Sequence, residues 1–547
     1  MKLIQIFIFI ALVFVVLKFF QYRRRAKLLK KLRAEWGELP EDGFNLETAR
    51  LFLKFRGANE AADCYFVDEA TWQDLDLEDI FQKVNRATTP VGAQYLYFLL
   101  HHPALTDSIL KKREAIINRL IKDSRFRESL QIALSALSDP NAKYLPYALW
   151  RPLPEKPVYA PLFPVLSLVA VVVLILTVLK ILNLGFILGL FVFHLFVRML
   201  EKRRIDVFLY SFEYLSVLIG VAERLAALKV KGLADIQRQL GEHLKETRPI
   251  ASKIYLLQFK DELGLMEYLK IYFLIDITGF YSALSKIERQ LTQLQALFEI
   301  VGQVDALLAM ASFRTEYADT CKPSFGADSD TISVKGIWHP LLASPIPNDF
   351  RFESKNILVT GSNMAGKTTF LKTLGVNSIL SQTLNICFAE SFTAPFLKVI
   401  SSIERAENII SGKSYYLAEV ESILRIINAA DSPGLHLLII DEIFRGTNSV
   451  ERTAASIEVL KYLANAKDFV IVATHDMQLT ERLENKYLNY HFREEMTAEG
   501  LTFDYKIHPG PSTSRNAIAL LGFVGYPEKI VTAASRHIQE ESPLAQS

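Results

Sequence analysis

The chain has 547 residues, more than one ordinary domain holds, so two or more domains are expected. Half of the residues are hydrophobic, a high share for a soluble protein, and this indicates membrane segments. The 62 basic and 60 acidic residues nearly balance, so the net charge gives no argument for nucleic-acid binding. The three cysteines lie far apart and do not have the spacing of metal ligands.

The first predicted element is an apolar helix at the N-terminus. Residues 3–17 are almost purely apolar, residues 18–20 extend them, and a basic run follows over residues 23–33. A secretory signal carries its positive charge mainly before the apolar stretch, which is the reverse of this arrangement. We therefore predict an uncleaved anchor over residues 1–20, with its C-terminal flank in the cytoplasm, and a basic juxtamembrane linker over residues 21–44. A buried core helix is the alternative.

A second apolar block covers residues 162–197 and is far longer than the ~20 residues that one membrane crossing needs. Lys180, Asn183 and Gly185 interrupt it near the middle, so we predict a transmembrane hairpin over residues 160–199. Basic residues flank both ends, which favours entry and exit on the cytoplasmic face. Because the second leg is short, a shallow re-entrant hairpin is the alternative.

Two predicted helical regions flank the hairpin. Residues 45–159 and 200–315 carry apolar residues at a spacing of three to four, with few helix breakers. Such stripes indicate helix packing or coiled coil rather than a chemical site.

The strongest motif follows a short β-prone run at residues 356–360 and precedes a helical pattern. Strand, glycine loop and helix form the context that a phosphate-binding P-loop requires. Glycines let backbone N–H groups face the phosphates, Lys367 places a charge on the β- and γ-phosphates, and Thr368 offers a hydroxyl to Mg²⁺. The predicted nucleotide-binding residues are Gly361, Ser362, Asn363, Met364, Ala365, Gly366, Lys367, Thr368 and Thr369.

Two further strand patterns complete the predicted site. Residues 435–440 end in Asp441, which would hold Mg²⁺, and in Glu442, which would orient or deprotonate the attacking water. Residues 469–474 end in His475, predicted to sense the γ-phosphate, with a purely structural role as the alternative. We assign catalysis to Lys367, Glu442 and His475. Alternating strands and helices predict a mostly parallel sheet with the ligand at its carboxyl edge.

The amino-acid sequences of these motifs resemble those of the MutS family of DNA mismatch-repair ATPases. The glycine loop is close to that of the family, residues 411–419 look like its signature segment, and residues 441–448 resemble its Walker B and D-loop. Residues 338–341, which include His339, and residues 347–349 look like the segment that leads into the ATPase strand and helps to hold the base. Residues 505–510 resemble a C-terminal element.

This resemblance implies a MutS-like, ABC-type α/β P-loop ATPase domain over residues 316–540 and a tail over residues 541–547, behind an α-helical core whose levers are residues 200–315. It implies ATP and Mg²⁺ as cofactors, a Q-loop role for Gln382 and a homodimer in which Ser414 reaches the nucleotide of the opposite subunit. Residues 85–92 are the clearest match in the core. The stretch before residue 45 has no room for a mismatch-recognition domain, so we expect ATPase chemistry to carry over and mismatch recognition not to.

The sequence therefore predicts a MutS-like ATPase anchored in the inner membrane, with its ATPase domain in the cytoplasm. DNA binding and a relation to mismatch repair stay open, because the basic run at residues 23–33 also fits a flank that meets anionic lipid. The alternatives are a DNA-independent membrane ATPase switch that acts on protein partners, and a transporter-type ATPase.

Overall fold

The computed structural model describes residues 2–541 except 41–44, 58–62, 229–231, 255–264, 327–329, 354–355, 363, 404–414, 445–447, 498–499 and 513–516. The chain forms two compact units. The helical unit comprises Met1–Asn59, Val84–Leu99 and Lys111–Tyr317. The α/β unit comprises Glu60–Lys83, Leu100–Leu110 and Ala318–Ser547.

The secondary structure is helical in the first part of the chain and mixed in the last part. The helices are α1 (Lys2–Ala34), α2 (Leu46–Arg56), α3 (Glu69–Asp74), α4 (Leu77–Val84), α5 (Pro90–Leu100), α6 (Asp107–Lys122), α7 (Ser124–Leu134), α8 (Leu145–Trp150), α9 (Leu162–Val178), α10 (Leu184–Ala227), α11 (Ala234–Ile254), α12 (Leu265–Phe273), α13 (Ile275–Arg289), α14 (Leu291–Glu316), α15 (Lys367–Thr383), α16 (Tyr415–Ala430), α17 (Ser449–Leu463), α18 (Met477–Arg482), α19 (Ala517–Val524) and α20 (Glu528–Glu541). The strands are β1 (Ser324–Phe325), β2 (Ile332–Ile337), β3 (Asn348–Phe352), β4 (Asn356–Thr360), β5 (Ser391–Ala394), β6 (Lys398–Ser402), β7 (His436–Asp441), β8 (Phe469–Ala473), β9 (Tyr487–Thr497) and β10 (Gly500–Pro509).

Helix α14 is the central core helix of the helical unit. By length and composition it could cross a membrane, but 83% of its apolar window is buried, as expected for a core helix. Its Asp305 is fully buried and accepts hydrogen bonds from the backbone N–H groups of Thr88 and Thr89, just before α5 begins. The carboxylate therefore satisfies donors at a helix start that would otherwise be unpaired.

The predicted hairpin is formed by α9 and the first part of α10. The side chain of Asn183 accepts a hydrogen bond from the N–H of Gly185 and so caps the start of α10. Helix α10 then runs for 44 residues without interruption, a length of about 66 Å at 1.5 Å per residue. The predicted boundary between hairpin and lever, at residues 199 and 200, thus lies inside a single helix.

The N-terminal helix α1 continues beyond the predicted anchor. Residues 21–34 of the predicted linker are helical, and the C-terminal end of α1 packs on α7. Arg33 forms an ion pair with Glu128 at 2.7 Å, and the guanidinium of Arg127 stacks on Trp36. These contacts fix the end of α1 to the helical unit.

The α/β unit contains two sheets. The larger has the strand order β10-β9-β4-β8-β7-β6, and its strands from β9 to β6 are parallel neighbours. Strands β4, β7 and β8 are buried along their whole length, as their continuous apolar runs predict for a sheet covered on both faces. The smaller sheet has the order β1-β5-β2-β3.

Two short segments from the first part of the chain belong to the α/β unit, whereas the sequence placed them in the first part of the core, over residues 45–159. Asp74 accepts hydrogen bonds from the hydroxyl of Ser401 and the N–H of Ile403, at 2.9 and 3.0 Å. The N–H of Ala104 donates to the carbonyl oxygen of Gln382 at 2.9 Å. Such pairings join residues about 300 positions apart and leave no periodic signal in the sequence.

Candidate nucleotide site

The glycine loop joins the buried strand β4 to helix α15. Gly361 has a φ of 140° and Gly366 a φ of 108°, both in the region that favours glycine. A Cβ on Gly361 would also lie 3.0 Å from the carbonyl oxygen of Phe492. The loop leads directly into the N-terminus of a 17-residue helix, where free N–H groups and the helix dipole favour an anion.

Lys367 is the first residue of α15, and its side chain is largely buried. Its Nζ donates to the carbonyl oxygens of Gly361 and Ser362, at 2.8 and 2.9 Å. The same Nζ lies 3.3 Å from Nε2 of His475. The ammonium group is therefore held at the loop, in a position suited to binding phosphate oxygens.

Thr368 and Asp441 are brought together from α15 and the end of β7. The hydroxyl of Thr368 donates to Oδ2 of Asp441 at 2.5 Å. Hydroxyl and carboxylate oxygens are ligands that Mg²⁺ prefers, and the ion usually takes only one or two from the protein, with water and phosphate oxygens completing its shell. The pair therefore fits an Mg²⁺ that arrives with a nucleotide.

Glu442 and His475 form the third part of the site. Oε1 of Glu442 lies 2.9 Å from Nε2 of His475, which also faces Lys367. The backbone of Glu442 has a φ of 60°, a left-handed conformation that is strained for a glutamate. Its N–H donates to the carbonyl oxygen of Ala473 at 2.9 Å, so a bond to the neighbouring strand holds this conformation.

A cavity of about 320 Å³ adjoins the glycine loop. Its wall includes His339, Asn348, Gly366, Phe370 and Tyr505. Among the described residues, Nε2 of His339 has no hydrogen-bond partner. Burial lowers the pKa of His339 to about 4, so the imidazole is neutral near pH 7. A cavity with aromatic walls and few polar groups suits a planar heterocycle such as a nucleotide base.

Comparison with known proteins agrees with this geometry. Residues 357–541 match the family described as MutS domain V. The DNA mismatch repair protein MutS of Natronomonas pharaonis is 29% identical over 270 residues, which cover 48% of this chain and 31% of that protein. The chain therefore contains a MutS domain V over residues 357–541.

Other MutS proteins match in a similar way. MutS of Thermus aquaticus is 28% identical over 264 residues, which cover 48% of this chain and 32% of that protein. MutS of Methanosarcina mazei is 28% identical over 337 residues, which cover 58% of this chain and 35% of that protein. The chain thus spans about a third of the length of the MutS proteins it matches.

The structure does not bring Gln382 to the phosphate-binding end of the domain, and the Q-loop role assigned to it by its likeness to MutS is wrong. Gln382 lies 15 residues after Lys367 on the same helix, about 22 Å away along its axis. Its side-chain amide donates to the carbonyl oxygens of Ala104 and Leu397, and accepts from the N–H of Leu397. The amide therefore joins chain segments of the α/β unit.

The other predicted residues of the MutS motifs differ in their surroundings. Met364 is 82% exposed, Ala365 is buried, and Thr369 lines the cavity beside the loop. The hydroxyl of Ser362 is buried and has no hydrogen-bond partner in the described part of the chain. Asn363 and Ser414 lie outside the described residues.

Three further residues belong to the site, and one of them, Phe492, was missed from the sequence. Phe492 and Tyr505 come from β9 and β10 and form part of the cavity wall. Asn348 connects the two sheets, because its amide donates to the carbonyl oxygen of Tyr505 and accepts from the N–H of Ile507. The likeness of residues 347–349 and 505–510 to MutS elements was the available signal for Asn348 and Tyr505, but no chemical pattern marks Phe492.

Proposed function

We propose that the protein is an ATPase that binds and hydrolyses Mg²⁺-ATP at the carboxyl edge of the larger sheet. The observation that carries this proposal is the meeting of Lys367, Thr368, Asp441, Glu442 and His475 at the ends of β4, β7 and β8. These groups supply a phosphate-binding cation, two Mg²⁺ ligands and an acid–base pair, which together are the parts that phosphoryl transfer to water needs.

Each side chain has a defined role in this reaction. Thr368 and Asp441 would hold Mg²⁺, which would supply positive charge to the phosphates. Lys367 turns from the loop carbonyls to the phosphate oxygens. Glu442 orients the attacking water and accepts its proton, while His475 donates a hydrogen bond to the γ-phosphate and so reports its presence.

The base and a second subunit complete the proposed site. The cavity beside His339 would receive the base, which stacks against aromatic rings of its wall. The likeness to MutS supports a homodimer with composite sites, in which Ser414 of one subunit reaches the nucleotide held by the other.

We also propose that the chain is anchored in the inner membrane by α1 and the hairpin, with the ATPase domain in the cytoplasm. Only 11% of the apolar window of Leu184–Asp206 is buried, so most of its surface needs another cover. Arg198, Lys202, Arg203 and Arg204 follow the apolar segment, which supports a cytoplasmic position for that end.

A role on DNA is the second candidate, and it is favoured by the function named for the matched relatives, DNA mismatch repair. The exposed basic residues of α1, from Arg23 to Arg25, could touch phosphates, but they equally suit anionic lipid. A DNA-independent ATPase switch that acts on protein partners and a transporter-type ATPase are the other candidates.

The test is ATP hydrolysis by the detergent-solubilised protein, with and without duplex DNA, across a salt series. Lys367→Ala should abolish nucleotide binding, because it removes the phosphate-binding cation. Glu442→Gln should bind ATP but hydrolyse it at least about 100-fold more slowly, since the water loses its base. Stimulation by DNA that fades as salt rises would indicate phosphate contacts and a function on DNA.

Two exposed residues serve as controls. Lys335→Ala and Glu458→Gln alter side chains of the same types on the surface of the α/β unit and should leave hydrolysis unchanged. Hydrolysis by Glu442→Gln at the parental rate would refute the role given to Glu442. Equal rates of ATP hydrolysis with and without DNA at every salt concentration would favour a switch that acts on protein partners.

A further inference from the structure

A second cavity, of about 350 Å³, adjoins Glu442 and His475. Its wall shares no residue with the cavity beside His339. The wall is formed by residues that follow β7 and β8 and by two side chains of α17, Arg452 and Ser456. At ~30 Å³ for each water molecule, this volume is large enough for an inorganic phosphate with several waters.

Besides Thr474 and Gln478, the side-chain hydrogen-bond donors of this wall include Arg452 and Ser456. Arg452 and Ser456 are four residues apart and so lie on the same face of α17. Ser456 is 1% exposed, and its hydroxyl makes no hydrogen bond to any described residue. No carboxylate within the described part of the chain forms an ion pair with Arg452. Since no described residue pairs with this buried hydroxyl or forms an ion pair with this half-buried guanidinium, both groups favour a ligand that accepts hydrogen bonds.

The carboxylates on the wall are already engaged. Glu442 faces His475 at 2.9 Å. Asp476 accepts hydrogen bonds from the N–H of Gln478, at 3.0 Å, and from the hydroxyl of Thr453, at 2.7 Å. Each carboxylate thus has a donor of its own, which leaves the guanidinium of Arg452 to a ligand.

On the basis of the proposed ATP hydrolysis, we propose that this cavity binds the inorganic phosphate product as it leaves, with Arg452 and Ser456 as its ligands. Glu442 and His475 border both the place of cleavage and this cavity, so phosphate passes from one to the other without crossing the bound nucleotide. A guanidinium binds phosphate through two parallel N–H···O bonds, which suits a product with two or more free oxygens.

The first test measures binding of inorganic phosphate to the full-length protein by calorimetry. The Lys367→Ala variant loses the phosphate-binding cation of the glycine loop, so the binding that it retains reports on the second cavity. Adding Arg452→Gln should weaken that binding at least about tenfold, since two charge-assisted hydrogen bonds are lost. Adding Arg482→Gln, which changes an exposed arginine of α18 outside the cavity wall, should have no effect.

Ser456→Ala separates binding from folding. The change removes a buried hydroxyl that has no described partner, so it should leave the thermal unfolding midpoint equal or higher. It should nevertheless weaken phosphate binding about threefold to tenfold, because one donor is lost.

The second test follows a single turnover of ATP by chemical quench and by a fluorescent phosphate sensor. In the Arg452→Gln variant, phosphate release should lag cleavage about tenfold more than in the parent, and Arg452→Lys should restore part of the rate. Release at the parental rate together with unchanged phosphate binding would overturn the proposal. Slower cleavage of ATP, with phosphate released as fast as it forms, would also overturn the proposal, because the cavity would then supply the attacking water. If no variant or parent cleaves ATP, the ATPase proposal fails, and the binding titration still decides whether the cavity holds phosphate.

Discussion

At the scale of single residues, the site depends on side chains that follow the carboxyl ends of adjacent strands. Strand β4 leads to Lys367, β7 to Glu442 and β8 to His475, and β8 lies between β4 and β7 in the sheet. This order explains why His475 contacts both of the other side chains. Three motifs that are far apart in the chain thus form one site.

His339 makes stability depend on pH in a defined direction. Burial lowers its pKa to about 4, below the value of about 6.5 in an unfolded chain. A histidine with a depressed pKa stabilises the fold above pH 6.5 and loses that contribution as the pH falls toward 4. We expect the loss to reach about 3 kcal/mol over this window, and His339→Gln to remove it.

The measurement is the thermal unfolding midpoint of parent and His339→Gln between pH 7.5 and 4. The parent should lose stability more steeply than the variant below pH 6.5. A matched control is His537→Gln, because that histidine lies on α20, away from the cavity wall. Parallel curves for the parent and His339→Gln would show that His339 titrates normally in the folded protein.

At the scale of elements, the segment that carries α3 is tied to the edge of the larger sheet. Asp74 is 6% exposed and accepts hydrogen bonds from Ser401, on β6, and from Ile403, just after it. The N–H of Val399 donates to the hydroxyl of Tyr65 at 3.1 Å, and Arg425 forms an ion pair with Asp68 at 2.6 Å. This segment therefore covers β6 and fixes its position.

Asp74→Ala should destabilise the α/β unit. The change leaves two donors near β6 without their acceptor, one of them a backbone N–H, and the expected loss is about 3 kcal/mol in the free energy of unfolding. Urea unfolding, followed by tryptophan fluorescence, measures it. Asp79→Ala, an exposed position of α4, is the control and should change stability little. Equal midpoints for both variants would contradict a role for Asp74 in holding β6.

Some elements and site residues could be predicted from the sequence, and others could not. The glycine loop and the residues after β7 and β8 could be predicted, because each motif stands beside an apolar run that forms a parallel strand. The role of Gln382 could not, because its partners Ala104 and Leu397 are remote in sequence. The unbroken course of α10 was also missed, since its apolar first part and amphipathic later part look like separate elements.

At the scale of the whole molecule, exposed apolar surface is concentrated in the hairpin. Leu174, Ile175, Leu188 and Phe196 are each at least 39% exposed. Helix α9 has 17 residues and a length of about 26 Å, close to the ~30 Å hydrocarbon core of a bilayer. The proposed membrane anchor would cover this surface with lipid, and the basic residues that begin where the apolar face ends support that proposal.

Cysteine labelling in intact cells tests this arrangement. In a background that lacks Cys64, Cys321 and Cys387, Asn183→Cys places a thiol at the hairpin turn and Lys202→Cys places one beyond the apolar segment. If the hairpin crosses the membrane as proposed, a membrane-impermeant thiol reagent should label the turn from outside and should label position 202 only after lysis. Labelling of neither position before lysis, with the protein retained in the membrane fraction, would indicate a re-entrant hairpin. Recovery of the protein in the soluble fraction would refute the membrane anchor, and the apolar face would then need a protein partner to cover it.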